Sequence, residues 1–175
     1  MTSRLLVDKL EGKTTSGTIQ MPAGQVLQVI NCTSNARLET NSSTYTDLGG
    51  MSISITPKFS NSGIIGFYQC HAYLATGSQT WQGVEYRVLR DSTVVTAVTS
   101  GGNNGYGTSH AGTNDNSYRH MMYVFQSFDD YNHGTTSSIT YKVQVANTNG
   151  STGTHDSNQP GYGQGGRMTI MEVQV

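Results

Sequence analysis

Six residues, Met51-Ser52-Ile53-Ser54-Ile55-Thr56, switch strictly between apolar and hydroxyl side chains. A period of two puts successive side chains on opposite faces of an extended chain, so this block predicts a strand with one buried and one wet face. The pattern returns in Val84–Leu89 and in Ile139–Ala146, through Ile139, Tyr141, Val143 and Val145. It returns again at the end, where Met168, Ile170 and Met171 lead to Val173 and Val175 as an alternating final strand. Val26–Thr33 is β-branched and apolar without a breaker, and Tyr118–Phe128 reads as a further strand. Ile64–Leu74 is different: it is apolar with little alternation, as in a strand covered on both faces. No segment carries a 3.6-residue period. The reading is an all-β antiparallel sandwich of the jelly-roll kind with about eight to ten strands.

Breakers divide these blocks. Met21-Pro22-Ala23-Gly24 and Ser60-Asn61-Ser62-Gly63 read as turns, and Pro57 ends the ladder that Met51 begins. Arg90-Asp91-Ser92 reads as a tight turn that pairs Val84–Leu89 with Thr93–Val98 as a hairpin. Ser34–Ser43 is expected to be a loop, and Asp129–Ser137 a turn region. Thr99–Ser117 and Asn147–Gly166 are long Gly/Asn-rich stretches, expected as loops at the outward end of the module. Residues 1–25 are expected to form an arm or edge strand, and residues 26–175 the sandwich domain.

The 175 residues suit one domain, and 34% hydrophobic content is enough for one core. Charged residues are only 12%, the net charge is −1, and there are 21 glycines. Disordered chains of low hydrophobicity usually carry high net charge, so a neutral, hydroxyl-rich surface over a β core fits better. The neutral balance leaves no electrostatic footprint for nucleic acid. The opening residues lack the apolar core of a signal peptide, and no stretch is long and apolar enough to span a bilayer, so folding in the cytoplasm is expected. Cys32 and Cys70 have no metal-site spacing and are expected as buried free thiols.

The candidate chemistry is sparse. Asp129-Asp130 resembles a catalytic carboxylate pair, but neighbours on a strand point to opposite faces, and turn chemistry is the preferred reading. Asp130-Tyr131-Asn132-His133-Gly134 has the start of a calcium loop without its later ligands or closing Glu. The histidines at 71, 110, 120, 133 and 155 show no ligand spacing, and Ser109, His110 and Asp115 share one loop without the rigid frame a triad needs. No catalytic, cofactor-binding or metal residue is expected. Trp81, Tyr106 and Tyr162 lie among small polar residues and are candidate contacts of the outward loops. They could stack on a sugar, although packing of loop bases or a subunit interface is the preferred reading. Leu5, Leu6, Val7 and Leu10 form an apolar cluster that a free arm would expose, so they are candidate anchoring residues. The alternative is an edge strand of the protein's own sandwich.

Several segments together resemble one family. Thr15-Ser16-Gly17-Thr18-Ile19-Gln20-Met21-Pro22-Ala23-Gly24-Gln25-Val26 resembles the opening of small β modules in marine and cyanobacterial phage virion proteins. Leu48–Pro57 resembles their "ITP" strand, Tyr86-Arg87-Val88-Leu89-Arg90-Asp91 their hairpin, and Ile139–Gln144 with Thr169–Glu172 their closing strands. The departures are Phe59 after Lys58 and Gly63-Ile64 in the following turn. The resemblance implies a trimeric jelly-roll knob on a virion surface, made in the host cytoplasm. Its implied partners are two further copies and other virion proteins, either the major capsid protein or tail proteins. Two roles follow: a capsid decoration protein, or a tail-fibre tip that reads host surface glycans. The short lead after Met1, without shaft repeat or heptad, favours the separate decoration protein.

Overall fold

The alternating blocks become strands of two facing antiparallel sheets. The computed structural model describes residues 23–75, 82–95, 106–111, 119–147, 154–157 and 165–175. Eleven strands lie among these residues: β1 (Val26–Ser34), β2 (Leu38–Thr40), β3 (Thr46–Ile55), β4 (Gly63–Ala75), β5 (Gln82–Arg90), β6 (Thr93–Val94), β7 (Tyr106–Ala111), β8 (Arg119–Asp130), β9 (Ile139–Asn147), β10 (Thr154–Ser157) and β11 (Gly166–Val173).

Eight of them make a jelly roll. The pairings nest: β1 with β11, β3 with β9, β4 with β8, and β5 with β7. A long hairpin rolled up on itself leaves this pattern. Further pairing of β11 with β4 and of β9 with β5 closes the sheets β1-β11-β4-β8 and β3-β9-β5-β7. The short strands extend this frame, β10 joining β4 to β2 and β6 folding back on β5.

Burial follows the period. Met51, Ile53 and Ile55 face in while Ser52 and Ser54 are exposed. Tyr86 and Val88 of β5, and Tyr141, Val143 and Val145 of β9, join them from the same sheet. Ile64, Tyr68, Cys70, Phe128, Met168 and Ile170 meet them from the other sheet. Ring contacts bridge the sheets: Tyr68 to Tyr86 at 6.4 Å and Phe128 to Tyr141 at 5.5 Å between centroids. Leu48 and Met51 both point inward although they are three positions apart, an odd spacing that would put them on opposite faces of a regular strand. A register shift between Asp47 and Ser52 makes this possible. Gly50, at φ +72°, supplies the left-handed residue of such a bulge, and Ser34 Oγ lies where its side chain would be.

Some expected loops contain strands. Leu38–Thr40, Tyr106–Ala111 and Thr154–Ser157 are extended because each finds a partner, respectively β10, β5, and β4 with β2. Strand β8 continues to Asp130, so the Asp129-Asp130 pair ends a strand rather than making a turn. The Arg90–Thr93 hairpin forms as expected, with Asp91 at φ +52° and bonded through its backbone N–H to Thr140 O at 2.7 Å. The last strand departs from its reading in one respect. Met168 and Ile170 face the core, but Met171, Val173 and Val175 lie on the outer side, and the inward positions are continued by Glu172 and Gln174. Cys70 is buried and Cys32 half-buried, both as free thiols, and burial pushes the Cys70 thiol up to about 12.

Candidate functional site

The outer face of the β1-β11-β4-β8 sheet is a candidate interaction surface. Register places Val29, Met171 and Ile65 side by side in one row that ends at Asp129 on β8. The next row runs Asn31, Thr169, Phe67 and Ser127. At the other side Val26 pairs with Val173. Val29 is 54% exposed and Val175 59%, with Val26 similar, while Ile65, Phe67, Met171 and Val173 are half-exposed. This face explains why β4 reads as apolar without alternation. Its inward residues are Ile64, Tyr68 and Cys70, and its outward ones include Ile65 and Phe67. An apolar row exposed on a sheet face is a candidate contact surface.

Behind this face two carboxylates are buried at the ends of β8 and β11. Asp130 is held by charge. Arg90 Nη1 donates to both of its oxygens, at 2.9 and 2.7 Å. The Tyr141 hydroxyl donates to Oδ2 at 2.8 Å and the Asn132 backbone N–H to Oδ1 at 3.1 Å. Burial, and then the bond to Asp130, keep the Tyr141 hydroxyl protonated far above its ordinary range. Glu172, fully buried, is instead held by neutral donors. Its Oε1 accepts from the Lys58 and Phe59 backbone N–H groups, at 2.7 and 3.2 Å, and from Ser62 Oγ at 2.5 Å. Its Oε2 accepts from Gln28 Nε2 at 2.6 Å. Four donors converging on one carboxylate offset the cost of burying it. They also pin the β3–β4 turn to the last strand.

Ser62, His133 and Glu172 are the residue types of a serine hydrolase, brought together from distant segments. Their arrangement is not that of a triad. Ser62 Oγ donates to Glu172 at 2.5 Å; His133 Nε2 lies farther from that oxygen, at 3.3 Å, and closer to Ser62 O, at 2.7 Å, while its Nδ1 lies 3.1 Å from Thr135 O. Ser62 is also 0% exposed, so no substrate could reach it. The constellation fastens a loop. Nothing in the sequence foretold it, because its members lie 71 and 110 positions from Ser62.

Beside Asp130 lies a cleft of about 270 Å³, lined chiefly by Arg90, Thr93, Asp129, Asp130, Tyr131 and Asn132. The residues singled out from sequence are elsewhere. Leu5, Leu6, Val7, Leu10, Trp81 and Tyr162 lie outside the described residues. Tyr106 opens β7 opposite Tyr86, so its backbone belongs to the sheet rather than to a loop. Among the described residues no group of three or more His, Cys, Asp or Glu side chains could hold a metal, the Asp130–His133 segment included.

No protein-family model and no curated protein matches the chain. Twelve chains of solved structures match it. Among them is a chain described under "Crystal structure of the T13 IBDV viral particle reveals a missing link in icosahedral viruses evolution", at 12% identity and a TM-score of 0.39. The match covers 100% of this chain and 40% of that one, so the chain spans under half the length of the structure it matches. At this TM-score the two share a loose likeness of shape.

Proposed function

We propose that this protein is a structural component of a virion, a homotrimer on the particle surface that decorates and stabilises a phage capsid. Its role in this reading is mechanical and not catalytic. The observation that carries it is the apolar outer face of the β1-β11-β4-β8 sheet. Val26, Val29 and Val175 stand in water there beside half-exposed Ile65, Phe67 and Met171. Burying such a face contributes roughly 25 cal/mol per Å² of apolar area. A closed ring of copies covers the same patch on every chain. The sequence resemblance to phage virion modules supports the particle, and the neutral, hydroxyl-rich composition suits a surface coat. The other surface of the trimer would meet the major capsid protein, with the Leu5–Leu10 cluster as anchor. A tail-fibre tip is the second reading, favoured by the polar cleft at Tyr131.

Sedimentation equilibrium tests the assembly. The expected mass is three times the 18.9 kDa of one chain at micromolar concentration. A stable folded monomer would overturn it. Stoichiometry in purified particles separates the two roles: decoration requires copies in proportion to the major capsid protein, a fibre tip in proportion to the tails.

A further inference from the structure

We propose that the cleft between the β5–β6 turn and the end of β8 binds one ring of a neutral, polyhydroxylated ligand, a hexose unit. This deepens the second reading, which draws on the same cleft, and does not depend on the assembly role. At about 270 Å³ the cleft is smaller than the usual pocket for a drug-sized ligand, so it suits one ring rather than a peptide or an extended chain.

Its chemistry selects the class. Arg90 commits Nη1 to Asp130, and its Nε and Nη2 donors have no partner among the described residues. Asp129, Thr93 and Asn132 line the same space, and their side-chain polar groups likewise have no hydrogen-bond partner among the described residues. The cleft therefore offers unspent donors and unspent acceptors together. A hydroxyl, which donates and accepts at once, uses both. One cation stands against two carboxylates, a balance that disfavours phosphate, sulfate or a carboxylated sugar.

The remaining wall is apolar, made by Val94, Val95 and the ring of Tyr131. Tyr131 is 48% exposed, and the Cδ1–Cε1 edge of its ring lies where any side chain at Gly63 would be. The glycine seats the ring, which can then present its free surface as an apolar platform to the C–H face of a sugar. The platform and polar rim are held before a ligand arrives, because the ion pair beneath them is already made. Preorganisation of this kind lowers the ordering cost of binding.

Saturation-transfer difference NMR on the full chain tests this, with the methyl glycosides of glucose, galactose and mannose, and with N-acetylglucosamine, each added singly. Binding with a millimolar constant by at least one is expected. Tyr131→Ala should weaken it about three- to tenfold, the worth of one stacking contact. Tyr131→Phe should bind within about twofold of wild type, because the platform is kept. Asp129→Ala, an exposed change, should also weaken binding and provides a second test should Tyr131→Ala fail to fold. Absence of transfer from all four probes overturns the proposal, as does binding that neither variant alters. Binding of sulfated but not neutral glycosides overturns the ligand class. The trimer test above is read from mass alone, so either proposal can fail without the other.

Discussion

The two outer faces of the sandwich are built on the same register and differ in what they carry. On the β3-β9-β5 sheet one row runs Asp47, Gln144 and Arg87, and each member bonds the next: Gln144 Nε2 to Asp47 at 2.6 Å, and Arg87 Nε to Gln144 Oε1 at 2.8 Å. Lys142 adds an ion pair to Asp47 at 2.7 Å, and Arg87 stacks on the Tyr45 ring at 3.8 Å. The corresponding row of the other sheet runs Val29, Met171 and Ile65. A ladder of charged and amide groups keeps its partners when water covers it. A row of valine, methionine and isoleucine gains only when water leaves. The sandwich is therefore two-sided, with a bonded polar row on one outer face and an apolar row on the other.

The largest effect should come from reversing the character of the apolar face. Val29→Asp combined with Val175→Asp places charges at two well-exposed positions, so the fold should survive. The proposed trimer should dissociate to the 18.9 kDa chain in sedimentation velocity. Lys142→Glu on the opposite face should leave the mass of the trimer unchanged. If Lys142→Glu dissociates it and the valine variant does not, the assignment of the two faces is inverted.

A smaller effect is expected inside the polar ladder. Arg87→Ala removes a cation–π contact and the hydrogen bond to Gln144, and should cost about 1–2 kcal/mol in urea unfolding without changing oligomeric mass. Arg87→Lys should recover part of this, since a lysine can stack on Tyr45 but offers no planar fork. A loss of trimer instead would mean that this face also supports assembly.

The smallest effect is a pH dependence. The hydrogen bond from Lys142, then that from Gln144, hold the Asp47 carboxyl below its ordinary range. A depressed folded value stabilises the protein above the unfolded pKa of about 4, and that stability is lost as pH falls through the folded value. The side chain is 54% exposed, so solvent screening limits the loss to about a few tenths of a kcal/mol. Thermal melts from pH 6 down to pH 3 should show it as a small downward step in Tm that Asp47→Asn lacks.

Much of the frame was readable from particular residues. Met51, Ile53 and Ile55 against Ser52 and Ser54 set one strand, and Ile139, Tyr141, Val143 and Val145 set another. The poor alternation of Ile64–Leu74 forecast apolar groups on both faces of β4, and Ile65 and Phe67 supply them outside. Strands β7 and β10 were hidden, because Tyr106–Ala111 and Thr154–Ser157 have no pattern of their own and are extended by their partners. The buried carboxylates were hidden for a related reason. Asp130 looks like turn chemistry until Arg90, 40 positions away, arrives beside it. Glu172 interrupts the inward row of β11, and only the convergence of Gln28, Lys58 N–H, Phe59 N–H and Ser62 makes that position tolerable. Periodicity reports which side of a strand is dry, but not which distant donor will meet a polar group there.

The pairing of β1 with β11 also determines how the molecule bears force. The strands are antiparallel, with Val26 opposite Val173 and the Gly24 N–H bonded to Gln174 O, so the two ends of the frame lie at one corner. Tension applied between them would load the ladder one rung at a time, like a zipper opened from its tab, rather than all rungs at once in shear. Such a frame is weak when pulled by its ends. On a surface under internal pressure it would carry load only when gripped across the broad face of the sheet, where many contacts share the stress together.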